Sequence, residues 1–202
     1  MPLELITPPA IEPVTLDEAK AHLKVDTTDD DALITALIAA ARARAEWHTG
    51  RAFVTQSWKL WLDAWPGASS CDDLPPRLSA SAPSAIEIPL PPLQSVSSIT
   101  TYTMDDSATV MNSTLYQVDS ASAPARVALK IGVTPPVNLR AMNAIAITFT
   151  TGYGDAASDV PDAIRRAILM IVADLYANRG DAAAETSVAA LATLMPYRIL
   201  HL

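Results

Sequence analysis

Residues 150–155 read TTGYGD, a stretch whose composition is typical of two kinds of chemical site. Potassium-channel selectivity filters carry a similar Thr-x-Gly-Tyr-Gly string, in which backbone carbonyls line the ion path. Closely spaced glycines also occur in loops that bind phosphate groups through backbone amides. The stretch could therefore be an ion filter, a phosphate loop or a simple turn.

The ion-filter interpretation requires membrane helices, each with roughly 18 or more apolar residues. The most apolar run, residues 167–173, is short and lies between Arg166 and Asp174. The first residues, MPLELITPPAIEP, have neither a basic segment nor a long apolar segment, so no signal peptide is expected. We expect a soluble protein that is made in the cytosol and has no membrane partner.

The phosphate-loop interpretation also fails. The glycine spacing matches neither the P-loop pattern nor the dinucleotide-binding pattern. Asp155, Asp159 and Asp162 follow the glycines and would repel a phosphate group. We therefore predict that Gly152, Tyr153 and Gly154 form a turn between a strand and a helix, with both glycines free to take positive φ.

No other residues form a recognisable catalytic pattern. Cys71, the single cysteine, lies in the acidic stretch SSCDDLP, which would raise the pKa of its thiol and make it less reactive. Asp105 and Asp106 are adjacent, and neighbouring side chains on a strand point to opposite faces. No Gly-x-Ser-x-Gly motif is present. We predict no catalytic residue and no cofactor.

A metal site is not expected either. His22, His48 and His201 are far apart in sequence, and no two have the spacing of ligands on one helix. The run Asp29–Asp30–Asp31 lacks the alternating ligand spacing and the distal Glu of a calcium loop. These three carboxylates are better explained as residues of the first turn of a helix, where they meet the positive end of the helix dipole.

The net charge of the chain is −8, with −5 in residues 1–50, −1 in 51–150 and −2 in 151–202, so no segment is basic. Proteins that grip nucleic acid display a face rich in Lys and Arg. Tight DNA binding is therefore not expected, whereas loose passage of DNA near an acidic surface is compatible with this charge. Charged residues make up only 18% of the chain. This low content reflects either extra surface buried against partner subunits or simply an alanine-rich composition.

Two helices are predicted in residues 14–50. In the first, Thr15 is placed as the N-cap, Glu18 completes a capping box, and Leu16, Ala19 and Leu23 share one face. The second starts at the Asp run and stops at Gly50. Its apolar stripe has helical spacing and comprises Leu33, Ile34, Leu37, Ile38, Ala41 and Ala45.

The middle of the chain, residues 56–150, is predicted to be an antiparallel β insertion with Pro-rich loops. Asp105–Asp106 is predicted as a hairpin turn, and residues 66–84 as a loop. Pro89, Pro91 and Pro92 exclude a continuous central strand at that point. The predicted strands cover residues 57–62, 85–90, 96–103, 115–118, 127–131 and 145–150.

Two further helices are predicted in residues 160–195. The first begins at Pro161, ends at Arg179 and Gly180, and is apolar on most sides, so we expect it to lie centrally in its core or at a subunit contact. The residues that carry this prediction are Ile164, Ile168, Ile171 and Leu175. The second helix, residues 187–195, has Val188, Leu191 and Leu194 on one face and stops at Pro196.

The fold class is thus predicted to be α+β: a bundle of about four helices with an antiparallel β-sheet or hairpin insertion in the middle of the chain. We expect a single domain, 1–202. Its last residues, 196–202, form an apolar tail with one Arg. Chain ends are usually polar and loose, so this tail is expected to dock either on a partner or on its own domain.

The order of these signals along the chain resembles the head–tail connector (adaptor) family of long-tailed bacteriophages, which is also found in phage-like gene transfer agents. The resemblance covers nearly the whole chain, with residues 63–84 and 104–143 the least distinctive. It rests on the stretches PVTLDEAKAHLKVD, DDDALITALIAAARARAEWHTGRAF, PLPPLQSVSSITTY, ITFTTGYG, VPDAIRRAILMIVADLYANRG and LMPYR.

This resemblance implies a structural protein of the virion neck and no enzyme. Such adaptors form a ring, typically a dodecamer, beneath the portal protein of the DNA-filled head. They extend the DNA channel without sequence-specific DNA binding and receive the stopper or tail-completion protein. The resemblance also implies that the C-terminal segment docks on the portal; in this chain that segment is Leu194, Met195, Pro196, Tyr197, Arg198, Ile199, Leu200, His201 and Leu202.

Two alternatives stay open from the sequence. The first is a transient assembly chaperone that is not retained in the particle, and the second is a small soluble enzyme with an unrecognised site. If the tail docks on the portal, deletion of residues 196–202 is expected to leave the fold intact and to abolish portal association.

Overall fold

The computed structural model describes residues 2–66, 85–178 and 187–199. The chain forms two compact units. The β unit comprises Met1–Pro8 and Gln56–Thr151, and the helical unit comprises Pro9–Thr55 and Gly152–Leu202. This division follows the predicted β insertion, except that the N-terminal residues also join the β unit. That the two units act as one adaptor domain stays a prediction.

The β unit contains two antiparallel sheets. The first has five strands in the order β1-β2-β8-β4-β5, and the second has three in the order β3-β7-β6. The strands are β1 (Leu3–Thr7), β2 (Gln56–Leu62), β3 (Ile86–Ile88), β4 (Leu93–Tyr102), β5 (Ala108–Val110), β6 (Tyr116–Asp119), β7 (Ala125–Leu129) and β8 (Ile145–Thr151).

The central strand of the larger sheet is β8, which pairs with β2 in continuous register from Gln56↔Thr151 to Leu62↔Ile145. Its other edge pairs with β4. Because β8 has a neighbour on both sides, its sequence IAITFTT, rich in Ile, Thr and Phe, fits a central strand. The core of the β unit includes Leu60, Trp65, Ile86, Ile88, Ile99, Val127, Ile145, Ile147 and Phe149, which are all at most 2% exposed.

All six predicted strands are present, with ends shifted by up to three residues. The prediction missed β1 and β5, the two edge strands of the larger sheet. Every residue of both strands is exposed, so neither carries the alternating burial that marks a strand in sequence. Residues 67–84, which include Cys71 and most of the predicted loop, lie outside the described residues.

The helical unit contains α1 (Leu16–Leu23), α2 (Asp31–Thr49), α3 (Asp162–Ala177) and α4 (Val188–Leu194), followed by a 3₁₀ turn at Met195–Tyr197. With the two antiparallel sheets, these four helices confirm the α+β class. The core of this unit includes Ile34, Ile38, Ala41, Ala45, Phe53, Ile164, Ala167, Ile168, Ile171, Val172 and Leu194.

The capping box of α1 is confirmed. The Thr15 hydroxyl accepts a hydrogen bond from the Glu18 amide at 3.2 Å, and the Glu18 carboxylate accepts one from the Thr15 amide at 2.8 Å. The Glu18 carboxylate also pairs with Arg165 of α3. The residues that start α1 therefore also connect it to α3.

The prediction for the Asp run was only partly right. Helix α2 begins at Asp31, and Asp30 is its N-cap without a side-chain capping bond, so only Asp31 lies in the first turn. The carboxylates instead bind other elements: Asp31 pairs with Lys20 at 2.6 Å, and Asp30 accepts a hydrogen bond from Tyr176 at 2.5 Å. The run joins α2 to α1 and α3.

Three details of the C-terminal helices differ from the prediction. Pro161 is the N-cap of α3 and not its first helical residue. The predicted stops, Arg179 and Gly180, lie outside the described residues, and α3 ends at Ala177. In α4 the buried residues are Ala190 and Leu194, whereas Val188 is 83% exposed. A helix of seven residues is too short for its apolar pattern to identify the buried face.

Candidate functional site

The C-terminal segment, here residues 194–199, lies on the helical unit. Leu194 is fully buried in the core of this unit, and Tyr197 is half-buried against the same core. Met195, Pro196 and Arg198 are exposed between these two anchors. Leu200, His201 and Leu202, which the sequence also places in the docking tail, lie outside the described residues.

Two hydrogen bonds hold this segment at the end of α2. The Ile199 amide donates to the Thr49 carbonyl at 2.9 Å. The Arg51 Nε donates to the Tyr197 carbonyl at 2.5 Å. Gly50 lies between the two sites and adopts a φ of 69°, and a Cβ there would approach the Ile199 Cβ to 3.6 Å. The segment is therefore docked on its own chain as far as Ile199.

This docking changes one expectation from the sequence. Deletion of residues 196–202 would remove the Tyr197 ring from the core and break both hydrogen bonds to the end of α2. Such a deletion is therefore expected to lower stability, so it does not isolate portal docking. Of residues 194–199, the exposed Met195, Pro196 and Arg198 are the ones that a partner could contact without disturbing the core.

The turn at Gly152–Tyr153–Gly154 lies beside the same helix end. The Tyr153 amide donates to the Phe53 carbonyl at 3.0 Å, and the Gly154 carbonyl accepts from the Thr55 amide at 3.1 Å. Gly152 has a φ of 125°, and a Cβ there would lie 2.5 Å from the backbone of Val54. The turn itself thus has the position between strand β8 and helix α3 that the sequence predicts.

Gly154 is a glycine for a different reason from the one expected. It does not have positive φ, but a Cβ at this position would collide with the Asp159 carboxylate. That carboxylate accepts a hydrogen bond from the Ala156 amide at 2.9 Å. Asp159 therefore shapes the local backbone after the turn.

Arg51 interacts with both tyrosines of this region, with the side chain of Tyr153 and with the backbone of Tyr197. Burial raises the pKa of the Tyr153 phenol, and the Arg51 guanidinium, which hydrogen-bonds the phenol, opposes that rise. The same guanidinium donates to the Tyr197 carbonyl. Arg51 thereby joins the turn and the C-terminal segment. The prediction missed this residue, because a lone Arg after a helix-ending glycine carries no sequence signal.

The residues proposed for a core or subunit contact on α3 lie in the core of the chain. Ile164, Ile168 and Ile171 are at most 1% exposed, and Leu175 is partly buried against the same cluster. The isoleucines therefore pack within the helical unit. Any subunit contact of α3 would have to use its outer side, which carries Arg166 and Met170.

The two adjacent carboxylates of the β unit have separate partners. Asp105 accepts hydrogen bonds from Thr103 and Ser107, and these bonds lower the pKa of its carboxyl group. Asp106, with a φ of 61° at the hairpin turn, pairs with Arg140 at 3.1 Å. The pair thus stabilises a turn, and each carboxylate has its own partners.

The described residues contain no group of three His, Cys, Asp or Glu side chains that could hold a metal ion. In the same part of the chain, no helix is both long and apolar enough to span a bilayer.

One cavity of the helical unit, about 350 Å³, is lined mainly by apolar groups of Ile11, Val14, Leu16 and Ile38.

The sequence matches a family model described as phage gp6-like head-tail connector protein over residues 13–123, more than half of the chain. The match covers α1, α2 and strands β2 to β6, and it ends in the connection between β6 and β7. No curated protein matches the sequence.

Three solved chains have a similar structure over 100% of this chain and 97% of their own. One is in the neck of an empty gene transfer agent (GTA) particle computed with C6 symmetry, with 21% identity and a TM-score of 0.78. Another is in the virion of a native GTA particle, with 20% identity and a TM-score of 0.78. The third is in the neck of a native GTA particle computed with C12 symmetry, with 22% identity and a TM-score of 0.75. This chain therefore has the fold of those chains.

Proposed function

Because the chain belongs to the family of phage gp6-like head-tail connector proteins, we propose that it is a structural protein of the neck of a phage or phage-like particle. Copies of the chain form a ring between the portal of the DNA-filled head and the tail or stopper protein. The ring extends the channel through which DNA passes. The family match over residues 13–123 is the observation that carries this proposal.

The solved chains of the same fold support the ring. Two of them come from particle necks computed with C6 and C12 symmetry. A rotational ring needs a heterologous contact, in which two different surfaces of one chain meet the complementary surfaces of its neighbours. A dodecamer accords with the C12 neck and is the ring size proposed here.

The charge of the chain supports the role of a DNA conduit. DNA carries dense negative charge and binds tightly to surfaces rich in Lys and Arg. A chain with a net charge of −8 forms a ring of roughly −96 if twelve copies assemble. Such a ring lets DNA slide without adhering. A lumen lined by Lys and Arg in the assembled ring would contradict this part of the proposal.

The C-terminal segment is proposed to dock on the portal. Leu194 and Tyr197 anchor it to the helical unit, while Met195, Pro196 and Arg198 remain exposed. Met195 is 54% exposed and adjoins the exposed Pro196, so the segment presents apolar atoms to a partner. Met195, Pro196 and Arg198, together with residues 200–202, form the proposed portal contact.

The experiment that tests the function is electron microscopy of necks from particles produced with and without the gene for this chain. The proposal expects a ring beneath the portal whose density fits the chain, and heads without tails when the gene is deleted. A chain that is needed for assembly but absent from mature particles by mass spectrometry would instead be a transient chaperone. Normal necks without the chain would overturn both roles.

A structural role is favoured over catalysis because the family is one of connectors. The small-enzyme alternative requires a deep polar pocket with convergent ionisable groups. In the described residues, the carboxylates of Asp31, Glu18 and Asp119 are instead engaged in ion pairs with Lys20, Arg165 and Arg126. No observation favours the enzyme.

A further inference from the structure

Trp47 stands out on the surface of the helical unit because its side chain is 85% exposed. It lies near the end of α2, whose Ile34, Ile38 and Ala41 face the core. The helical spacing places Trp47 on the opposite side of α2 from these residues. Ala43, one turn earlier on the same side, is exposed and small, so the indole projects beyond its neighbours.

A separate groove lies on the outer side of α3, where α4 crosses it. It has a volume of about 440 Å³, which is ample for an indole ring. Trp47 is not part of its lining. The groove is lined by Asp162, Ala163, Arg166, Met170, Ala189 and Thr193.

The chemistry of this groove suits an indole. Ala163 and Ala189 leave room for a flat ring, and the Met170 thioether makes favourable contacts with aromatic rings. An Arg guanidinium over the face of Trp gains a cation–π interaction. None of the ion pairs among the described residues involves Arg166, so its guanidinium can take that position.

The groove also offers acceptors for the indole N–H, which needs a partner when it is buried. The Asp162 side chain is 98% exposed, and its one ion pair, to Arg165, spans 3.5 Å. The Thr193 hydroxyl donates to the Ala189 carbonyl at 2.9 Å and keeps its lone pairs available. An inserted indole would therefore have a guanidinium over the face of its ring and a hydrogen-bond acceptor for its N–H.

We propose that Trp47 of one chain inserts into the α3–α4 groove of a second copy, and that this contact joins neighbouring subunits of the ring. The inference rests on the proposed function. Because the Trp and the groove are different surfaces of one chain, each copy offers both, which makes the contact heterologous and able to propagate around a ring. A central aromatic anchor in a pocket is the usual form of an interface hot spot.

Cysteine cross-linking in particles tests the contact. In a Cys71→Ser background, Ala43→Cys places a thiol one turn from Trp47, and Ala189→Cys places one in the groove. With both cysteines in each chain, a short bismaleimide is expected to give a ladder of covalent oligomers up to the full ring. Particles that combine chains carrying Ala43→Cys alone with chains carrying Ala189→Cys alone are expected to give dimers and no ladder.

The contribution of the indole is tested by adding Trp47→Ala to the double-cysteine chain. At limiting chain concentration, incorporation of this variant into necks is expected to fall at least about tenfold, as for truncation of a central aromatic anchor. The cross-linked ladder is expected to weaken with it. Trp47→Phe is expected to restore part of the incorporation. Met142→Ala is the matched control, since Met142 is an apolar side chain of the β unit that is 73% exposed.

The outcomes separate this inference from the proposed function. If necks contain the chain but residues 43 and 189 do not cross-link, or if Trp47→Ala is incorporated normally, the Trp contact is wrong and the neck role stands. If wild-type chains are absent from the necks, the proposed function itself fails.

Discussion

Arg51 and Tyr197 are 146 positions apart in sequence, yet the Arg51 Nε donates a hydrogen bond to the Tyr197 carbonyl at 2.5 Å. The contact fixes the C-terminal segment to the end of α2, where the Ile199 amide also binds the Thr49 carbonyl. Within residues 194–199, a partner can therefore reach the residues that these bonds leave exposed, which are Met195, Pro196 and Arg198.

Truncation at two points separates anchoring from portal docking. A chain that ends at Ile199 keeps both hydrogen bonds and is expected to retain its stability within about 0.5 kcal/mol, because it loses none of the contacts described above. It is expected to lose association with portal-bearing heads. A chain that ends at Met195 loses Tyr197 and both bonds, and is expected to be about 2–4 kcal/mol less stable.

Urea unfolding measures the two stabilities, and sedimentation with purified heads measures the association. Normal loading of the chain that ends at Ile199 would limit the portal contact to Met195, Pro196 and Arg198, and a triple substitution of these to Ala then tests the remainder. Normal loading of that triple variant in the truncated chain would contradict docking by this segment.

Ile168→Asp is expected to prevent folding of the helical unit. Ile168 is fully buried, and an unpaired charge at such a site costs several kcal/mol. Circular dichroism and solubility measure the effect. Ala32→Asp, at an exposed position in the first turn of α2, introduces the same charge and is expected to fold normally. A soluble, helical Ile168→Asp chain would show that this core is wrongly placed.

Gly152→Ala is expected to destabilise the chain by about 2–4 kcal/mol, because it combines an unfavourable φ with a collision against Val54. Gly132→Ala is the matched control, since Gly132 has a φ of 86° with nothing within 4 Å of an added Cβ. The control is expected to cost only about 1 kcal/mol. Equal midpoints for both variants in thermal unfolding would argue against the close approach at Gly152.

Glu18 is expected to make stability depend on pH in the acidic range. The bond from the Thr15 backbone amide is the main cause that lowers the pKa of the Glu18 carboxyl below its ordinary value of 4.5, and Arg165 adds to it. Because the folded state favours the charged form, the stabilisation is complete above pH 4.5 and is lost as the pH falls through the lowered pKa.

The variant Glu18→Gln tests this dependence. Gln keeps the capping box but not the charge, so at neutral pH the variant is expected to be less stable by under about 1 kcal/mol, as is usual for exposed ion pairs. Urea unfolding from pH 7 to pH 2 is expected to show the two chains converging in acid. A difference that persists unchanged at pH 2 would contradict the assignment.

Local sequence signals determined most of the elements. The capping box depends on Thr15 and Glu18, which are three residues apart, and the end of α2 depends on Gly50 alone. Both are local features, so the sequence alone predicts them. Gly152–Tyr153–Gly154 lies between the end of strand β8 and helix α3, which is the position that its glycines and the flanking strand and helix signals predict. The α+β class followed from the order of these elements.

Tertiary structure decided what depends on residues that are distant in sequence. The edge strand β1 exists because β2, more than fifty residues later, offers it hydrogen bonds. The Asp run binds Lys20 and Tyr176, Gly154 makes room for Asp159, and Arg51 reaches Tyr197. Such pairings are set by packing, which no short window of sequence contains. The sequence by itself therefore established the elements and the family resemblance, and the fold decided which surfaces are left for partners.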